Sequence, residues 1–354
     1  MLKRLIDFCL GNPWLTLGIT VIAVVLAVTT ARRLPVDVFP ELKVPRVVVQ
    51  TEAGGLTAEE VEQFITVPIE SAMNGLPGVK AVRSSSGGGL SFVWVDFDWD
   101  TDLYRARQIV AERLSTVRSA LPEGLEPEIT PIVSVTGEIM LLALTSADGT
   151  VSPLELRQLA EYELRTRLMA IPGIGQVVVI GGRLPEFQVN VAPERLAAYG
   201  VTLNDVIEAA AASHTMAGAG YLANVRGQEI PLRQTARVET VDELQRVRVP
   251  TGDGRALRLG QVADVALGGA PRRGSAAYNG HDAVVLSVQK APGGNTLALT
   301  DRIEQVLDAF EASRLPAGAT LHRDAYRQAD FIRLSINNGG RIVRDAAIIV
   351  VLVL

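Results

Sequence analysis

The chain has 354 residues, a formal net charge of −5, 48% hydrophobic residues, 5% aromatics and a single cysteine. An acidic balance excludes a nucleic-acid partner, which needs a cationic surface, and so few aromatics exclude a base-stacking platform. One cysteine excludes an intrachain disulfide framework, and a chain of this size buries a full core without one.

In chain order, the first element is the run Trp14 to Ala31, WLTLGITVIAVVLAVTTA, which carries no charge. A bilayer core about 30 Å thick is crossed by about 20 apolar residues in helix, so the run predicts a membrane helix. Lys3 and Arg4 precede it and Arg32 and Arg33 follow. A cleaved signal peptide needs a small-x-small site, which Thr29-Thr30-Ala31 before two arginines does not supply, so the anchor reading stands. Two cations on each side leave the orientation open by charge alone. Cys9 lies ahead of the span.

Next come two weak copies of one unit. In the first copy, a strand over Val44 to Thr51 leads to Thr57-Ala-Glu-Glu60, a capping box in which threonine and glutamate close the first helical turn. That helix ends at Leu76-Pro77-Gly78-Val79 and a strand follows. A strand over Ser91 to Asp98 precedes a helix with apolar residues at Leu103, Ala106, Val110, Leu114, Val117 and Leu121, on one helical face. It stops at Leu121-Pro122-Glu123-Gly124 before a short strand. The second copy has the strand Ile139 to Thr145, the box Ser152-Pro-Leu-Glu155, the stop Ile171-Pro172-Gly173-Ile174 and a strand. It resumes with the strand Ala283 to Gln289, a helix capped by Asn295 and the stop Leu315-Pro316-Ala317-Gly318.

Each copy therefore reads β-α-β-β-α-β, the split βαβ or ferredoxin-like pattern of an α+β fold. Pro77 and Pro122 lie 45 residues apart, whereas Pro172 and Pro316 lie 144 apart, so about 99 extra residues sit inside the second copy. That insert, from about Gly181 to Ala270, predicts its own small domain. It holds a strand over Phe187 to Val191, a helix over Pro193 to Tyr199, a helix capped by Thr202-Leu-Asn-Asp205 through Ala212, and strands with a Thr251-Gly-Asp-Gly254 hairpin. The far end, AAIIVVLVL after Arg344-Asp345, is too short to cross a bilayer. It reads as an interrupted membrane helix, the alternative being a C-terminal strand buried in the core.

Chemistry-bearing motifs are sparse. Asp96-Phe-Asp98-Trp-Asp100-Thr-Asp102 has Thr101 and Arg107 where a calcium loop needs Gly and Glu, so it reads as a strand with a wet acidic face whose Asp100 or Asp102 caps the next helix. Gly87-Gly88-Gly89 and Gly181-Gly182 lack the following helix and lysine of a phosphate cradle and read as tight turns. His214, His281 and His322 show no zinc spacing. Imidazole with thioether suits copper or silver, which makes His214 and Met216 the only local metal candidates. Two ligands do not complete a site, and a plain helix end before a glycine-rich loop is the competing reading. No catalytic constellation stands out, so no enzyme activity and no cofactor are expected.

The stretch Leu34-Pro-Val-Asp-Val-Phe-Pro40, then Thr66-Val-Pro-Ile-Glu70, Leu76-Pro-Gly-Val79, Gly87-Gly-Gly-Leu-Ser-Phe92 and Asp100-Thr-Asp-Leu-Tyr-Arg-Ala-Arg107 resembles the N-terminal part of resistance-nodulation-division efflux permeases. The likeness is strongest to the heavy-metal (cation) branch and covers essentially the whole chain. The resemblance implies residues 1–35 as N-terminal segment and first transmembrane helix, and 36–134 as a first porter subdomain. It implies 135–180 with 271–327 as a second porter subdomain, 181–270 as a docking subdomain, and 328–354 as the truncated start of a second transmembrane helix. It implies a homotrimer in the inner-membrane lipid bilayer, with the large domain in the periplasm, a periplasmic adaptor protein and an outer-membrane channel as partners. It also implies proton-driven export, with relay and main substrate residues beyond residue 354. Gly339-Gly340 departs from the pattern, falling where a helix enters the membrane. A drug exporter and a tethered, non-transporting binding module are the alternatives.

Overall fold

A computed structural model describes residues 10–31, 37, 45–134, 136–146, 148–225, 228–251, 256–272 and 274–353. Lys3, Arg4, Cys9, Arg32, Arg33, the Leu34–Pro40 motif apart from Asp37, and Gly252–Gly254 of the expected hairpin lie outside them. The chain is a mixture of helix and sheet and divides into two compact units. One comprises Met1–Ala143, Glu163–Val179 and Val285–Leu354, the other Leu144–Tyr162 and Ile180–Val284.

Helix α1 runs Pro13–Ala31 and contains no Asp, Glu, Lys or Arg. Among the described residues no helix is long and apolar enough to cross a membrane.

In the first unit, strand β1 (Arg46–Glu52) is followed by helix α2 (58–73), strands β2 (Val79–Gly87) and β3 (Leu90–Phe97), helix α3 (Leu103–Val117) and strand β4 (Pro127–Ile129). The strands form an antiparallel sheet in the order β2-β3-β1-β4. Val47, Val49, Val93, Val95 and Phe97 on alternate strand positions share a core with Ala106, Val110 and Leu114 of α3, so one face of the sheet is covered by helix. Thr57 caps α2 with the full reciprocal box to Glu60, and Asp102 caps α3 by accepting from the Arg105 amide at 2.9 Å.

Helix α2 is not uniform. It runs as α-helix over Ala58–Val61, widens to π-helix over Glu62–Thr66, and returns to α-helix over Val67–Met73. Its buried apolar residues Val61, Ile65, Ile69 and Met73 repeat every fourth position. In a plain α-helix each four-residue step overshoots a 3.6-residue turn by about 40°, so three steps would carry Met73 about 120° off the core face. One wide turn absorbs that drift. It also relieves Pro68, whose missing N–H and bulky ring conflict with the regular ladder.

The second copy begins with strand β5 (Glu138–Thr145) and helix α4, which again is α-helical over Pro153–Gln158, π-helical over Leu159–Leu164 and α-helical over Arg165–Met169. Its buried seam is Leu156, Ala160, Leu164 and Leu168, the same four-residue period, so the repeat carries its helical irregularity with it. Strand β6 (Ile174–Ile180) follows, and Gly181 and Gly182 turn the chain at φ +85° and +63°. A Cβ on Gly181 would lie 2.5 Å from the Ala283 carbonyl oxygen, so this turn needs glycine on two counts.

The stretch expected as the insert lies within the second unit, which also holds Leu144–Tyr162 and continues to Val284. Strand β7 (Pro185–Val191), helices α5 (Pro193–Tyr199) and α6 (Leu203–Ala212), and strands β8 (His214–Val225) and β9 (Gln228–Arg237) come first. Helix α7 (Val241–Gln245), strands β10 (Arg248–Pro250) and β11 (Ala256–Arg258), helix α8 (Leu259–Val262) and strand β12 (Ala263–Gly269) complete it. Val201, Val206, Leu244, Val249, Leu259, Val262 and Val265 form its own core. One expectation fails here: the glycine-rich stretch after His214 is no loop. Ser213 caps α6, and β8 pairs antiparallel with β9, its register shifting between Gly218 and Tyr221. The glycines sit at an irregularity of a long hairpin, where a missing side chain eases the bend.

The chain then adds strands β13 (Ala276–Tyr278) and β14 (His281–Lys290), helix α9 (Thr296–Ser313), strand β15 (Thr320–Arg327) and helix α10 (Gln328–Val353). The sheet order is β13-β14-β5-β15 with β6 also on β14, so β6, β14, β5 and β15 repeat the order of the first sheet. Helix α10 is continuous for 26 residues through Gly339 and Gly340, and the apolar run Ala346–Val353 is helical, which removes the buried-strand alternative for it.

Candidate functional site

His214 and Met216 both lie at the start of strand β8. His214 is exposed at the first position of β8 opposite Arg237, and Met216 stands opposite Thr235, its side chain outside the described set. His281 opens β14 and His322 lies within β15. Among the described residues no three His, Cys, Asp or Glu side chains gather as a metal set.

Charged groups instead gather at three joints. The first corrects the expectation of a wet acidic face. Asp96 is 4% exposed, and its carboxylate accepts from Arg46 Nε at 2.5 Å and from Arg83 Nη2. Register explains the geometry, because Arg46 stands opposite Asp96 on β1, while Ala81 opposes it on β2 and sets Arg83 two residues on, on the same face. Burial alone would raise the Asp96 carboxyl, but the two guanidiniums outweigh it and hold the carboxyl below its usual range. The same face carries Phe92 stacked on Trp94, centroids 5.8 Å apart. Asp98, Asp100 and Asp102 are exposed, as expected of them.

The second joint is the buried Lys290 at the end of β14. Its ammonium donates to the Asp37 carboxylate and to the Gly294 carbonyl oxygen at 3.0 Å, and the Thr296 hydroxyl donates to the other Asp37 oxygen. A desolvated ammonium is tolerated only when paired and hydrogen-bonded, which holds the Asp37 carboxylate against the start of α9.

The third joint is a row of arginines on β15 and α10 facing α9. Arg323 donates to Glu304 at 2.6 Å, Asp308 at 2.7 Å and Glu311 at 2.5 Å. Arg327 pairs with Glu304 at 3.0 Å and Arg333 with Asp301 at 2.7 Å. Burial would lower Arg323, but its bonds to Asp308 and Glu304 and the charge of Glu311 dominate and raise it, so it is a permanent cation. The sequence carried the acidic spacing along α9, yet nothing local linked it to arginines a strand away, and nothing linked Asp37 to Lys290.

Residues 5–354 match the model of the AcrB/AcrD/AcrF family. The chain belongs to this family. The match bears out the resemblance to resistance-nodulation-division permeases of the heavy-metal branch, transporters rather than enzymes. Among curated relatives, the cation efflux system protein CzcA of Alcaligenes sp. (strain CT14) is 32% identical over 361 residues, covering 100% of this chain and 34% of its own. The cation efflux system protein CusA of Escherichia coli (strain K12) is 30% identical, covering 99% of this chain and 34% of its own. A crystal structure of a heavy metal efflux pump superposes with TM-score 0.83 at 25% identity, covering 96% of this chain and 34% of that one. The chain spans about a third of the length of the relatives it matches.

Proposed function

We propose that this chain forms part of an inner-membrane exporter that moves heavy-metal cations out of the cell by proton coupling. The observation that carries the reading is the end-to-end match to proteins named for cation efflux, together with the superposition on a heavy metal efflux pump. In this reading α1 crosses the inner membrane with its N-terminal side in the cytoplasm, and the C-terminal half of α10 enters the membrane again. The uncharged Pro13–Ala31 helix and the apolar, helical Ala346–Val353 support both assignments.

Residues 36–134 serve as one ferredoxin-like porter subdomain and 135–180 with 271–327 as the second, supported by the shared strand order of the two sheets. Residues 181–270 serve as the docking subdomain, supported by their separate core. The assembly is a homotrimer joined to a periplasmic adaptor and an outer-membrane channel. Proton relay and metal coordination belong to the part of the relatives' length that this chain does not span, and His214 with Met216 binds no metal by itself. The alternating movement of such exporters needs membrane helices from the whole protein.

The test is a chimera in which this chain replaces the matching third of a cation-efflux relative in a host lacking its own exporter. Restored growth on cobalt, zinc, cadmium, copper or silver supports the reading and names the metal class. Expression of a stable chimera that protects against none of them would contradict it. The 354-residue chain alone is expected to confer no resistance.

A further inference from the structure

Beneath the wide turn of α2 the core of the first unit becomes polar. Val47, Val49 and Thr51 take alternate positions on β1, and Ser91, Val93 and Val95 do so on β3, so Thr51 and Ser91 continue the helix-covered face. Register sets Thr51 opposite Ser91 and Ser91 opposite Ser86, which puts three hydroxyl residues in one row across β1, β3 and β2. Thr66, the last residue of the π-helical turn, sits over that row. Its Oγ1 lies 2.8 Å from Ser86 Oγ and 2.8 Å from Ser91 Oγ, and it donates to the Val61 carbonyl oxygen at 3.3 Å. Thr51, Thr66 and Ser91 are each 1% exposed.

The hydrogen count within this group does not close. Thr66 has one hydroxyl proton, which goes to Val61, so Ser86 and Ser91 donate to Thr66. That leaves lone pairs open on the Ser91 oxygen. Opposite it, the buried Thr51 hydroxyl has no hydrogen-bond partner among the described residues. A hydroxyl sealed in a core without a partner costs more than the bond it gave up returns, and native proteins satisfy such groups with internal water.

We propose that Thr51 and Ser91 hold one internal water, which accepts from the Thr51 hydroxyl and donates to Ser91 Oγ. Through Ser91 and Thr66 the water joins the sheet to the wide turn of α2, so the turn is held by a hydrogen-bonded chain as well as by its apolar seam. The ligands are neutral hydroxyls with no carboxylate in the row, which suits water rather than a metal cation. The second copy shows that a π-helical turn does not by itself bring this group. Counted from the caps Thr57 and Ser152, the place of Thr66 is taken there by Glu161, which pairs with Arg157 at 3.0 Å. The inference stands on contacts inside one compact unit and is independent of what the whole protein transports.

Two measurements on the full chain in detergent micelles test it. With threonine methyls labelled, the Thr51 methyl is expected to show a nuclear Overhauser cross-peak at the water frequency, with the sign of a long-lived bound molecule. Ser91→Ala keeps the Thr51 hydroxyl but removes the other ligand, so it is expected to abolish that peak. A peak that survives in Ser91→Ala reports only exchange of the Thr51 proton and overturns the proposal, as does no peak in the parent chain. In urea unfolding, Thr51→Val is expected to lower the folding equilibrium constant about fivefold, the size of one net hydrogen bond, while Thr51→Ser stays within about twofold of the parent. An equilibrium constant unchanged or raised in Thr51→Val would mean that the hydroxyl is simply unsatisfied and would overturn the site. If Thr51→Val does not fold, the methyl spectra of the parent and of Ser91→Ala decide.

Discussion

Replacing Asp96 by asparagine removes one buried charge while keeping its shape, and the geometry fixes what that costs. Two charge-assisted hydrogen bonds are lost or weakened, each worth about 1.5–3 kcal/mol to a buried acceptor. Arg46 and Arg83 are, however, 37% and 65% exposed, so both guanidiniums rehydrate once released, and the amide oxygen keeps a neutral bond to one of them. The net loss is therefore about 2 kcal/mol, below the 3–5 kcal/mol of breaking a fully buried pair. The pH dependence follows from the depressed carboxyl. A group whose folded value lies below its unfolded value of about 3.9 contributes stability that is complete above that value and disappears as pH falls through the folded value. The variant and the parent should thus differ by about 2 kcal/mol at pH 7 and converge below pH 4. Urea unfolding in detergent, followed by Trp94 fluorescence with Trp14 and Trp99 replaced by phenylalanine, measures it. A difference under 0.5 kcal/mol at pH 7, or one unchanged at pH 3, would refute the assignment of Asp96 as an ionised cross-strand clamp.

Glycine positions give a graded pair. Gly175→Ala places its Cβ 2.7 Å from the Ile132 carbonyl oxygen and should cost about 2–3 kcal/mol, whereas Gly149→Ala meets nothing within 4 Å and pays only for φ +68°, about 1 kcal/mol. Thermal unfolding of the two variants checks the order. Thr57→Ala and Ser152→Ala each remove a reciprocal capping box, and each should cost about 1 kcal/mol with faster amide exchange confined to the first turn of α2 or α4. Calorimetric titration of the chain with copper and with zinc should give no tight binding, and His214→Ala should leave the titration unchanged; tight binding abolished by that variant would make His214 and Met216 a site.

Local rules made the element order legible. Capping boxes at Thr57 and Ser152, Pro-Gly stops at Pro77 and Pro172, and the helical face from Leu103 to Leu121 placed most helices and strands within two or three residues. The long β8–β9 hairpin was hidden because Gly218 and Gly220 read as loop, while their strand is held by pairing with residues further along the chain. The π-helical turns were present as a four-residue apolar period at Val61, Ile65, Ile69 and Met73, a period that an ordinary helical reading passes over. The ionic joints were not legible at all. Asp37 and Lys290 are separated by 253 positions, and Asp96 reads as one of four wet carboxylates until the register of β1 and β2 brings Arg46 and Arg83 onto its face.

The proposed function requires α1 to anchor a domain that lies outside the cytoplasm. Labelling with a membrane-impermeant maleimide in intact cells tests this most directly, using Ser84→Cys, an exposed residue of β2, with the native Cys9 as internal control. The prediction is that the cysteine at 84 reacts in intact cells and Cys9 reacts only after lysis. Labelling of Cys9 before lysis with protection of position 84, or protection of both, would contradict it.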